Sequence, residues 1–189
     1  MAVWTSGKME KEAVEMGASM MAVSARTAPK TRGIDSVKTM VLTGTDLEPL
    51  ALAMEKKGKE KSTDLPMFKR DADNLRASTA VLLIGVSRDP KRIELPLNCG
   101  ACGYRNCKEL LAAGKREGED FTGPMCIFQA VDLGIALGSA AKIAAELNID
   151  NRMMYSVGAA AKKLNLLESD VIIGIPLSAA GKNPYFDRP

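Results

Sequence analysis

Alternating helical and strand patterns predict a mixed α/β or α+β domain around one core, interrupted by a short cysteine-rich segment. Three observations carry this expectation. The 189-residue chain is 46% hydrophobic and 26% charged, the balance of an ordinary globular domain with a full core. Its apolar residues switch between helical spacing and short continuous or β-branched runs. Three of its four cysteines fall within NCGACGYRNC, residues 98–107.

Taken in order, residues 9–26 carry Ala13, Met16, Met20 and Val23 at helical spacing with acidic residues near the start, which predicts a helix whose methionine-rich face is core. Pro29 and Gly33 break it in ARTAPKTRGID. SVKTMVLTG reads as a short β-branched strand. Asp46 is placed to N-cap a helix that has Pro49 in its first turn and runs to about Lys61. Residues 66–77 form a further helix, and AVLLIGVS is a continuous apolar strand of the kind buried on both faces. Past the cysteines, Gly123-Pro124 opens the most apolar helix, which ends near Asn148 and is interrupted only by Asp132, Lys142 and Glu146. Apolar nearly all round, it is expected to be buried, with Gly134, Gly138, Ser139 and Ala141 allowing close approach by a neighbour or a flat ligand. A buried Asp132 then requires a partner. NRMMYSVGAAAKKLNL gives one more helix, VIIGIPLS a last strand and AAGKNPYFDRP a polar tail, with no internal repeat or flexible linker.

The formal charge of +3, from 26 basic and 23 acidic residues, is too near balance for a nucleic-acid footprint, so no nucleic-acid partner is expected. Lys8, Glu10, Lys11, Glu12 and Glu15 interrupt any signal-peptide h-region. The longest runs without an acidic or basic residue, such as 77–87, are eleven residues, short of the ~20 that a membrane helix requires. A cytoplasmic protein without membrane association is the expectation. In that reducing compartment, clustered cysteines read as metal or redox ligands before disulfides.

Cys99, Cys102, Cys107 and Cys126 form C-x2-C-x4-C-x18-C. Three thiolates from one loop and a fourth returning at a helix start suit a tetrahedral set of metal corners, and a cubane iron–sulfur cluster uses one thiolate per iron. Gly100 and Gly103 directly follow two of the cysteines, where they let the backbone turn sharply and aim N–H groups at sulfur. The positive end of the next helix favours an anionic group beside Cys126. An iron–sulfur cluster is the favoured reading. A structural zinc site, more usually built from two close pairs, and disulfides, disfavoured by the compartment, are the alternatives. With no histidine in the chain, a Cys-His nucleophile is excluded. Lys91, Arg92, Arg105, Lys108, Lys115 and Arg116 surround the segment, where they would offset cluster charge and dock an acidic, ferredoxin-like donor.

LNCGACGYRNCKELLAAG followed by GPMC resembles the small 4Fe-4S domain of the large corrinoid iron–sulfur subunit of the carbon monoxide dehydrogenase/acetyl-CoA synthase complex, and that of the B subunit of Rnf-type electron-transport complexes. The resemblance implies that all four cysteines ligate one 4Fe-4S cluster in a segment inserted at residues 95–126. The flanks, ARTAPKTRGIDSVKTMVLTGTDLEPLALAME, STAVLLIGVSRD, VDLGIALGSAAKIAAELN and VIIGIPLSAAGKNPYFDR, are similar to the flavin-dependent nitroreductases. That similarity implies an α+β sandwich of a central, mostly antiparallel sheet flanked by helices over residues 1–94 and 127–189, a homodimer, and FMN near its interface. The implied flavin contacts are Arg26, Lys30 and Arg32 in the first loop, Gly134 and Gly138 on the apolar helix, and Lys182 in the tail. The Arg-x-S-x-R element that holds the flavin phosphate in many nitroreductases is absent, since residues 1–23 contain no arginine.

As residues alone, Arg26, Lys30 and Arg32 equally suit a solvated basic loop, and the two glycines suit tight helix packing. Lys182, Asp187 and Arg188 equally suit a tail pinned by surface ion pairs. The combination of scaffold and cysteines resembles a family of ferredoxin-domain proteins of bacteria and archaea. The expected function is an iron–sulfur redox protein that passes electrons to a partner protein, a flavin or a small-molecule acceptor. The alternative is a non-catalytic partner-binding module with a structural zinc or iron–sulfur site. No nucleophile with an adjacent base stands out, so no catalytic residue is named.

Overall fold

The computed structural model describes residues 3–186. Helix α1 (Ser6–Thr27) leads into strand β1 (Val37–Thr43), followed by helices α2 (Leu47–Glu60) and α3 (Met67–Arg76) and strand β2 (Ala80–Val86). The cysteine segment then contributes a short helix α4 (Cys107–Ala112) and a hairpin of β3 (Arg116–Glu117) and β4 (Thr122–Gly123). The chain continues through α5 (Ile127–Glu146), β5 (Asp150–Asn151), α6 (Tyr155–Lys163) and β6 (Val171–Ser178).

With no polar residue to put on a wet face, AVLLIGV takes a central place in the four-stranded antiparallel sheet, whose order is β1-β2-β6-β5. All of β2 is buried, and its side chains alternate between two cores, as a period of two requires. Val81 and Leu83 pack with Leu50, Met54, Leu75 and Val157 of α2, α3 and α6. Leu82, Ile84 and Val86 pack with Val14, Ala18, Ala136 and Ala140 of α1 and α5 on the other side. The result is the α+β sandwich of helices on both faces of an antiparallel sheet. Helices α1 and α5 run antiparallel: Ser24 Oγ donates to the Ser139 carbonyl at 3.0 Å, and Gly17 lies against Leu147 and Ile149.

Four expectations need correction. The buried face of α1 is Val14, Gly17, Ala18, Met21 and Ala25, while Met16, Met20 and Val23 are exposed, as is Ala13. A Cβ on Gly17 would sit 2.2 Å from Ile149 Cδ1, so closeness of packing selected the small residues and turned the large ones outward. Helix α5 likewise is not buried all round, because Ile127, Val131 and Ile135 are exposed and a Cβ on Gly134 or Gly138 would meet nothing within 4 Å. By length and composition α5 is apolar enough to cross a bilayer, with a mean hydropathy of 1.4, whereas in this fold its other face packs on α1 and the sheet. Asp46 does precede α2, but within a 3-10 turn and with no side-chain capping bond. The helix expected from Asn151 starts at Tyr155, since Asn151 pairs in β5 and Met154 bridges to Gly174. Asp187 and Arg188 lie outside the described residues.

Helix α6 meets β6 almost backbone to backbone: a Cβ on Gly158 would lie 1.8 Å from the Ile172 carbonyl oxygen. Gly158→Ala, a change that normally favours a helix, is therefore expected to destabilise the protein by roughly 1–3 kcal/mol. Urea denaturation measures it, and a midpoint equal to wild type would contradict this packing.

Candidate metal centre

The loop around the cysteines is shaped by residues able to adopt left-handed backbone. Asn98 has φ 48°, Gly100 75° and Gly103 84°, and the Gly103 N–H donates to the Gly100 carbonyl at 3.0 Å. The Asn98 side chain accepts the Cys107 N–H at 3.0 Å, and Asn106 caps α4 by accepting the Glu109 N–H at 2.9 Å. Cys107 thereby begins α4, just as Cys126 stands immediately before α5.

Cys99, Cys107 and Cys126 border one small cavity together with Thr31, Arg32 and Lys91, while half-buried Cys102 lies in the turn closed by Gly100 and Gly103 and is not part of that border. All four are free thiols, grading from exposed Cys99 to buried Cys126. Burial pushes the Cys126 thiol up, the Cys107 and Cys99 sulfurs push it the same way, and the backbone N–H groups of Phe128 and Gln129 partly oppose this. Among the described residues, no three Cys, Asp or Glu side chains converge as ligands of a single ion. One zinc would gather every sulfur to about 2.3 Å from a point, whereas a cluster offers each thiolate its own iron. Soft donors, three of them bordering one cavity, fit the ligand set of a cluster.

The frame behind the cavity is polar and almost fully satisfied. Arg88, 1% exposed, follows β2 and donates to Asp89 at 2.8 Å, to the Leu110 carbonyl at 2.8 Å and to the Gly114 carbonyl. Its own carbonyl accepts the Cys126 N–H at 2.9 Å and its N–H donates to Asp170 Oδ2 at 2.8 Å. Asp132, also 1% exposed, finds the partner its burial demands: the N–H and hydroxyl of Thr31, each at 2.9 Å, and the Lys91 ammonium. Gln129 accepts from Ser36 and donates to the Asp89 carbonyl, both at 2.7 Å.

The basic residues expected around the cluster divide into two groups. Lys91 is buried against Asp132, whereas Lys115 is paired with Asp170 at 2.9 Å with its side chain still 55% exposed. Arg105, Lys108 and Arg116 are exposed, as is Arg92, which is 3.4 Å from Glu94. The flavin-contact candidates are not gathered into one site within the chain. Arg26 and Lys30 both turn to Asp35, at 2.6 and 3.6 Å. Burial would raise the Asp35 carboxyl, but Arg26, the Val37 N–H and Lys30 outweigh it and hold the group below its usual range. Arg32, at φ 60°, donates to the Leu95 carbonyl and is the one basic candidate bordering the cysteine cavity. Gly134 and Gly138 face outward along α5. Lys182 follows Ser178, which ends β6 beside Ala80, whereas Arg32 lies by the opposite end, where Val37 pairs with Val86.

A family model described as uncharacterized protein containing a ferredoxin domain matches residues 122–188. An uncharacterized protein of Archaeoglobus fulgidus is 48% identical over 179 residues, covering 95% of this chain and 94% of its own length. The chain belongs to this ferredoxin-domain family. Its fold is that of the nitroreductases. A nitroreductase with bound FMN from Desulfitobacterium hafniense superposes with a TM-score of 0.57 at 14% identity, covering 89% of this chain and 79% of that one. A BluB-like flavoprotein from Clostridium difficile gives 0.57 at 16% identity, over 93% and 84%.

In this ferredoxin-domain protein, Arg88, Asn98 and Gln129 hold the cysteines in place and were not legible as site residues. For Arg88 the available signal was a cation at the very end of a strand apolar on both faces, where a charge must be either solvated or fully bonded. Arg88→Met removes a charged donor from two otherwise unpaired carbonyls. Unfolding free energy should fall by roughly 3 kcal/mol, and the amides of residues 107–114 should exchange faster. Denaturation with hydrogen exchange checks this, with exposed Arg105→Met expected to change stability by under about 0.5 kcal/mol.

Proposed function

We propose that this is an iron–sulfur redox protein in which Cys99, Cys102, Cys107 and Cys126 hold one 4Fe-4S cluster and electrons pass to a redox partner protein or a small-molecule acceptor. The observation that carries the reading is the single cavity bordered by Cys99, Cys107 and Cys126, with Cys126 standing at the N-terminal end of α5. Membership of a ferredoxin-domain family supports it independently. Bound there, the cluster would supply one-electron transfer. The chain's own part is to keep the ligands in position through Arg88 and Asn98, and to set the positive end of α5 at Cys126 against the burial that raises its thiol. It also leaves Cys99 on the exposed side, near Arg105 and Lys108, where an acidic partner can approach.

The homodimer belongs to the same proposal. Met16, Met20 and Val23 of α1 and Ile127, Val131 and Ile135 of α5 leave an apolar face uncovered on two adjacent helices, and Gly134 and Gly138 open the surface to close approach. A second copy is the proposed occupant, in the cytoplasm, and FMN is proposed only for that assembled dimer.

Anaerobic reconstitution with iron and sulfide should give about four irons per chain and a broad violet-blue absorption. Cys102→Ala should lose both, and one tightly held zinc in place of iron would overturn the cluster. Light scattering should return twice the chain mass for wild type and a monomer for Val131→Glu, while FMN content is read from the spectrum of released cofactor.

A further inference from the structure

Arg32 borders the cysteine cavity from the loop after α1, far from the cysteines in sequence. We propose that Arg32 is a positioning residue for electron transfer, its guanidinium setting the reduction potential of the cluster by stabilising the added negative charge. The assignment rests on the cluster reading above and gives this arginine a role other than flavin contact.

The charges around the cavity single Arg32 out. Two cations border it, Lys91 and Arg32. The Lys91 ammonium donates to Asp132, which is buried with it, so that pair carries no net charge. Arg26 and Lys30, the basic neighbours of Arg32 in the same stretch of chain, are both turned to Asp35. Arg32 is half-buried, its Nη1 donates to the neutral Leu95 carbonyl, and among the described residues it makes no ion pair. It is therefore the uncompensated cation at a cavity bordered by three thiols. On reduction one electron arrives from the external donor and no bond is broken, so one negative charge is added to a group already anionic through its thiolates. At a partly buried position that addition is costly, and a cation at the same cavity lowers the cost.

The backbone supplies the independent observation. Arg32 has φ 60°, a left-handed conformation for which arginine, unlike asparagine, has no local side-chain hydrogen bond in compensation. The turn is braced on both sides of it. The Thr31 N–H and hydroxyl donate to Asp132, each at 2.9 Å, and the Lys91 ammonium donates to the Ile34 carbonyl at 2.8 Å. The buried Asp132–Lys91 pair thus holds the turn, and the residue held between its two anchors is the one that borders the cavity. Strained backbone that persists because its surroundings over-determine it is characteristic of functional positions.

Spectroelectrochemical titration of the anaerobically reconstituted full chain tests this, with iron determined on the same samples. Arg32→Gln keeps a donor for the Leu95 carbonyl but loses the charge. It should retain about four irons. Poised at the wild-type midpoint, its reduced-to-oxidised ratio should be about tenfold below that of wild type, a shift of about 59 mV to lower potential for a one-electron couple. Arg32→Lys, which keeps the charge without the planar fork, should recover most of that shift. Arg105→Gln removes an exposed, water-screened cation from the cysteine loop itself and should change the ratio by less than about twofold. Iron loss from Arg32→Gln that Arg32→Lys does not share would also support a role for the charge, whereas iron loss from both would leave Arg32 a merely structural clamp and overturn the assignment. A wild-type midpoint in iron-loaded Arg32→Gln, or an equal shift in Arg32→Lys or Arg105→Gln, would overturn it with the cluster still standing. A wild-type chain that takes up no iron would remove the cluster reading and this assignment together.

Discussion

One buried guanidinium holds the cysteine segment to the sheet. Arg88 stands where β2 runs out of apolar residues, and every polar group it carries is used. Its side chain closes the C-terminal end of α4 by bonding the Leu110 and Gly114 carbonyls. Its N–H meets Asp170 at the start of β6, and its carbonyl receives the N–H of Cys126. Helix ends leave carbonyls without partners, and a cation is the natural group to satisfy them. The same residue therefore ends a strand, caps the helix that begins with Cys107, and sets Cys126 in place before α5.

The rest of the cavity follows from this anchoring. With Cys126 fixed, α5 starts from it, the Gln129 N–H donating to the Cys126 carbonyl at 3.1 Å, and further along the helix Asp132 points inward. That carboxylate would be prohibitively costly alone. It gathers Thr31 from the loop after α1 and Lys91 from the segment after β2, so three stretches distant in sequence meet on one side chain. Gln129 repeats the device with Ser36 and Asp89. The walls of the cysteine cavity are thus held by buried polar bonds belonging to the scaffold, while the cysteine loop itself stays largely exposed, with positive φ at Asn98, Gly100 and Gly103.

Charge follows the same division. Of six cations expected near the cysteines, Lys91 is consumed internally and Lys115 is paired with the buried Asp170, while Arg92, Arg105, Lys108 and Arg116 face outward.

By itself the sequence determined the elements and the thiols. The runs AVLLIGV and VIIGIPLS had to be buried strands because they offer no polar face, and they are β2 and β6. The cysteine spacing, the glycines at 100 and 103 and the lack of histidine narrowed the chemistry of the loop, since thiol number and backbone freedom are local properties. Only the tertiary structure decided which way the helices face. In α1 and α5, alanine, glycine, methionine and valine lie on both sides, hydropathy barely separates the faces, and closeness of approach chose Gly17 and Ala18 for the inside over Met16 and Met20. It also decided which charges are structural. Arg88 and Lys91 look like ordinary surface residues in the sequence, which marks Asp132 alone as buried without naming its partner; what makes the three into anchors is a set of partners roughly 20 to 100 residues away, brought within hydrogen-bond reach by folding.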